Sequence, residues 1–141
     1  MEKRKVHIED FFTADNEVEG KWFEPKIDGI GCGFEFLVTG ATTDEAMADD
    51  EHYDKLYAEA DEIRDPIERQ HKKMQVDAER CARLVKGIRA AEDCEIDFNG
   101  GQVEFSKPLI EQIFLKSPLI KKAVVGYATK TANFINREKN A

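Results

Sequence analysis

The sharpest alternation of apolar and polar positions lies between residues 94 and 105. Cys94, Ile96 and Phe98 alternate with Glu95 and Asp97, and Val103 and Phe105 resume the alternation after Asn99-Gly100. Period-two alternation marks a strand buried on one face. Asn-Gly favours the two-residue type I′ turn, because both turn positions take positive φ. Turn and pattern agree on one register, with Ile96 opposite Val103 and Cys94 opposite Phe105. An earlier hairpin is predicted from residues 21–27 and 32–38, which flank Asp28-Gly29. There Cys32, Phe34 and Phe36 alternate with Gly33 and Glu35.

Helical spacing governs most of the remainder. Thr39–Thr43 reads as a loop, with Thr43 capping a short helix through Ala48. Tyr53, Leu56, Tyr57, Ala60 and Ile63 recur at helical intervals. Asp65-Pro66-Ile67-Glu68 is a fresh helix start, with Asp as N-cap, Pro at the first position and Glu three residues after the cap. Beyond it Ile67, His71, Met74, Ala78, Cys81, Val85 and Ile88 are spaced by four and three. That seam predicts one long helix running through Ile88. Ser106 caps a helix carrying Leu109, Ile110, Ile113 and Phe114. Ser117-Pro118 opens a last one with Ile120, Ala123, Val124, Tyr127, Thr131, Phe134 and Ile135. Thr13–Glu19 reads as a loop.

The fold class expected is therefore mainly α with short antiparallel β-hairpins (α+β): an N-terminal hairpin, a long central helix, a second hairpin and C-terminal helices. A length of 141 residues suits one domain over 1–141. Residues 1–19, with Val6, Ile8, Phe11 and Phe12, are expected to be a flexible or docking arm, and 136–141 a frayed tail.

Composition narrows the class. With 41% hydrophobic and 35% charged residues, the chain can build a core beneath a heavily charged surface. No apolar run reaches the roughly 20 residues of a membrane span, and Met1-Glu2-Lys3-Arg4-Lys5 precedes no hydrophobic signal core. Cys32, Cys81 and Cys94 are scattered and odd in number, as for buried thiols in a reducing compartment. The net charge of −8 argues against general nucleic-acid binding. It is unevenly distributed: residues 44–68 hold eleven acids against two bases, and residues 106–141 hold seven bases against two acids. Opposite-signed regions favour association of copies or a partner of the reverse pattern.

The chemical motifs each lack a required part. Glu68-x-x-His71 places a carboxylate and an imidazole on one helix face, but a dimetal bundle needs a second such pair and two more carboxylates. Asp49-x-x-His52 is a poor substitute. Gly29-x-Gly31-x-Gly33 precedes a strand, whereas a phosphate loop precedes a helix. Asp93, Glu95, Asp97 and Asn99 miss the glycine and the final glutamate of a calcium loop. No cysteine has an evident histidine partner. The expectation is no catalytic residue, no metal and no cofactor, and function through binding. The last apolar stripe is either a core face or a ridge for another chain's amphipathic helix.

The order of features carries a resemblance. Gly20-Lys-Trp22-Phe23 opens the first hairpin, and an acidic helical middle follows. Then come Ile96-Asp-Phe98-Asn-Gly100, Val103-Glu-Phe105-Ser106, Ser117-Pro118-Leu119-Ile120 and Ala132-Asn133-Phe134-Ile135. This resembles the tail assembly chaperones of long-tailed bacteriophages, most closely over residues 85–135. The acidic 44–68 stretch has no counterpart there. The resemblance implies a non-enzymatic protein of the host cytoplasm, absent from the mature virion. It would bind the tape measure protein, keep it soluble and recruit tail tube subunits, the last through a longer frameshifted form. Partner contact is expected through Leu119, Ile120, Val124, Tyr127, Phe134 and Ile135, with homo-oligomers possible and neither nucleic acid nor membrane as partner. The alternative is a structural or adaptor subunit retained in the particle, such as a tail completion or joining protein.

Overall fold

The structure, a computed structural model, describes residues 2–135; the expected frayed tail at 136–141 lies outside the described residues. The chain is α+β, with about 51% helix against 16% strand, so helices dominate. Its organising element is a three-stranded antiparallel sheet of β1 (Lys21–Phe23), β4 (Phe34–Val38) and β5 (Val85–Ala90), with β4 central. The first hairpin forms as its pattern indicates. Asp28 and Gly29 both take positive φ in the turn between β2 (Lys26–Ile27) and β3 (Ile30–Gly31), and Trp22 pairs with Leu37 across β1 and β4.

The third strand replaces the expected end of the long helix. Helix α4 (Pro66–Ala82) starts at its Asp65 cap but stops before Val85 and Ile88, which lie in β5. Leu37 pairs with Gly87 while Val38 pairs with Val85, leaving Lys86 as an extra residue on β5. This bulge turns Val85 and Ile88, three apart, to one face beside Val38 and Phe36. A three-residue interval of helical appearance is thus a bulged strand. The upper seam also differs, since Ile67 and His71 are exposed while Val76, Ala78 and Ala82 are buried.

Across the sheet's outer face Trp22 lies over Gly87, where a Cβ would meet its ring at 3.1 Å. The Arg89 guanidinium stands 4.0 Å from the centroid of that indole and donates to Glu35 Oε1 at 2.6 Å. The inner face packs on α5 (Lys107–Lys116) and α6 (Pro118–Thr129), with Phe36 edge-on to Phe114 at 6.1 Å and Phe23 stacked on Tyr127 at 4.4 Å. Ser106 and Ser117 accept from Leu109 N and Ile120 N, capping these helices as expected. Lys107 Nζ donates to the carbonyls of Ala82 and Val85 at 2.9 and 2.8 Å, fastening α5 to the corner between α4 and β5.

Between β4 and β5 the chain makes α2 (Asp44–Met47), capped by Thr43, and an antiparallel pair of α3 (Asp50–Asp61) with α4. Asp50 Oδ1 accepts from both Arg80 and Arg83 at 3.3 Å, Tyr57 donates to Asp77, and Lys73 pairs with Asp61 toward the tip. Asp77 also pairs with Lys121 of α6. Part of the acidic 44–68 stretch is therefore bonded to cations of α4 and β5, Glu45 to Lys86 among them.

Two further expectations change. Thr13–Glu19 is not a loop: Ala14–Glu19 is a helix, α1, ended by Gly20. Asn16 Nδ2 donates to the Phe134 carbonyl at 2.8 Å and Gly40 N to the Glu17 carbonyl, so polar tertiary bonds hold it. The last helix ends at Thr129, and Thr131–Phe134 is a separate 3-10 turn. Thr129 Oγ1 donates back to the carbonyls of Val125 and Gly126, and Asn133 Nδ2 to that of Tyr127. These side chains occupy acceptors that further helical N–H groups would use.

Candidate functional site

The second hairpin is real but short. Asn99 (φ 54°) and Gly100 (φ 75°) make the turn, and β6 (Asp97–Phe98) pairs with β7 (Gly101–Gln102) in the register expected. The ladder stops there; Ile96 and Val103 flank it, and Cys94 is exposed rather than paired. With its apolar side partly free, the hairpin roofs a groove instead of extending the main sheet.

That groove has a volume of about 230 Å³. Phe34 and Ile88 of the sheet, Ile96, Phe98 and Val103 of the roof, Leu109 and Ile113 of α5, and Ile120 of α6 line it, with Asp97, Lys116 and Ser117 contributing polar edges. Each position follows from a local device. The bulge at Lys86 aims Ile88 inward, the type I′ turn sets Phe98, and the Ser106 cap fixes the start of α5. Helix α5 is apolar over more than one stripe: Ile110 and Phe114 enter the core, leaving Leu109 and Ile113 for the groove. Leu115, Leu119 and Phe105 add exposed apolar side chains.

The six residues expected to meet a partner separate into distinct settings. Leu119 is 58% exposed and Ile120 lines the groove. Val124 and Phe134 are both 0% exposed and belong to the interior. Tyr127 is half-buried between Phe23 and Phe134, and burial raises its hydroxyl pKa. Ile135 is half-buried. Helical spacing grouped these residues, but the break after Thr129 folds Phe134 back onto Tyr127. The groove residues of the sheet, roof and α5 escaped the sequence reading. Their available signal was the four apolar residues within Leu109–Phe114, too many for one core-facing stripe.

A second cavity, about 280 Å³, lies between the α3–α4 pair and α6, with Asp50, Asp77, Arg80, Cys81 and Arg83 among its walls. Arg83 donates through Nη2 to Asp50 and through Nε to the Arg80 carbonyl, while its Nη1 is buried without a hydrogen-bond partner among the described residues. Burial, reinforced by Asp77, pushes the Cys81 thiol up to about 11, so at neutral pH it is protonated and a weak nucleophile. The same two causes push Tyr57 up to about 12.

Glu68, His71, Asp49 and His52 are all exposed, and among the described residues no group of three or more His, Cys, Asp or Glu could hold a metal ion. Among the described residues no helix is long and apolar enough to cross a membrane. No family model, curated protein or solved structure matches this chain.

Proposed function

We propose that this protein is a non-enzymatic phage tail assembly chaperone of the host cytoplasm. It binds the tape measure protein, keeps it soluble and, through a longer frameshifted form, helps recruit tail tube subunits. The observation that carries the reading is the open apolar groove, because it is built within residues 85–135, the part with the strongest family resemblance, apart from Phe34. An amphipathic helix docks by laying regularly spaced apolar side chains into such a groove. Ile120 lines one wall and Leu119 is exposed next to it in the chain, while Val124 and Phe134 are buried and take no part in the lining.

The test is co-expression with a phage tape measure protein. The wild-type chain should raise the soluble fraction of that protein and co-purify with it, and Ile96→Lys with Leu119→Lys should lose both effects while remaining folded. Absence of association for the wild type refutes the proposal. Finding the chain in purified virions would instead favour the retained adaptor subunit.

A further inference from the structure

Residues 2–12 make an unusual segment for a folded chain. Val6, Ile8, Phe11 and Phe12 are all exposed, Ile8 to 72%. Among the described residues the segment's hydrogen bonds stay inside it, from Asp10 N to the His7 carbonyl and from Phe12 N to that of Glu9. Four large apolar side chains within seven positions thus lack cover. A few residues before Phe11 stand Lys3, Arg4 and Lys5, and beside it Glu9 and Asp10.

The groove has the complementary composition. Asp97 lines the roof, and the chain on either side of it adds Glu92, Asp93, Glu95 and Glu104, with no lysine or arginine anywhere in residues 92–104. Lys116 stands at the groove's α5 margin. We infer that the N-terminal arm of one copy docks in the groove of a second copy, with Phe11 or Phe12 seated between roof and helices. The basic triplet then meets the acidic roof, and Glu9 or Asp10 meets Lys116. Size agrees: a cavity of about 150 Å³ lined by similar side chains holds benzene, so 230 Å³ admits a phenyl ring. Reciprocal exchange of two arms closes a dimer, and one-way donation builds a chain of copies. The inference needs no client and stands independently of the chaperone reading; a client helix entering the same groove would displace the arm.

Sedimentation velocity of the full-length chain alone, over a concentration series, tests it. Concentration-dependent association is expected for the wild type. Phe11→Ser with Phe12→Ser should weaken it at least tenfold without moving the melting temperature, because both rings are exposed. Lys3→Glu with Lys5→Glu should weaken it similarly, as should Glu92→Lys with Glu95→Lys. Combining the two charge reversals in one chain should restore it, a rescue that damaged folding would not produce. A wild type that stays monomeric throughout overturns the inference, as does association indifferent to the arm substitutions. Failure here leaves the tape measure test untouched, since that experiment reads a different complex.

Discussion

Phe134→Ala separates interior from interface at the end of the described chain. The ring is 0% exposed and stands edge-on to Tyr127 at 5.8 Å, while the residue's carbonyl accepts from Asn16. Truncating a buried phenylalanine removes its transfer free energy and leaves a cavity, together about 3–5 kcal/mol. That is a large share of a total stability of about 5–15 kcal/mol. For a domain near this size it lowers the melting temperature by roughly 10–15 °C. Urea unfolding followed by circular dichroism measures the change, with Leu119→Ala as a control expected within about 0.5 kcal/mol of wild type. An unchanged slope against urea would confirm that the midpoint shift reports stability. If Phe134→Ala unfolds within about 1 kcal/mol of wild type, the 3-10 turn is not seated on α6 and the interior assignment fails. Below its own transition the variant should still bind any groove ligand, since Phe134 lies outside the lining.

Gly100→Val places a β-branched residue at φ 75°, costing more than the roughly 1–2 kcal/mol that a left-handed conformation costs an ordinary residue. The short ladder should open locally, so amide exchange at Phe98 and Gly101, the pair that flanks the turn, should accelerate while the global melt changes little; retained protection would contradict the turn assignment. At alkaline pH the Cys81 thiol contributes a definite sign. Its folded value of about 11 exceeds the ordinary 9.0, so the folded state holds the proton more tightly. The associated stability is complete below pH 9 and lost as pH rises toward 11. Cys81→Ala should flatten the stability profile over that interval, and an identical profile would show that the thiol is not so buried.

What the sequence made legible was local. Capping serines at 106 and 117, the Asp65-Pro66 start and both positive-φ turns state their conformation in two to four residues. Where structure depended on distant partners, the same reading failed for physical reasons. Val85 and Ile88 share a face through a bulge that only pairing with β4 creates, so their spacing looked helical. Helix α1 has no apolar stripe and is held by Asn16 and Glu17 reaching other segments. At Thr129 the helix ends where the Thr129 and Asn133 side chains bond its last carbonyls, contacts that helical spacing does not announce. The groove combined these cases: Ile120 was visible as an apolar helix position, whereas Phe34 and Ile88 join it only after the sheet assembles.

β4 and β5 are sheet neighbours although residues 39–84 separate them. The α3–α4 pair sits in that interval, and Asp50 ties its base by reaching Arg80 and Arg83. Such a pair is held by contacts close in sequence, and by bringing the ends of the interval together it shortens the loop that the strand pairing must close. Its far end, residues 62–65, points away from this base. Whole turns can therefore be added to or removed from the helical pair at that end while preserving both the sheet register and the groove.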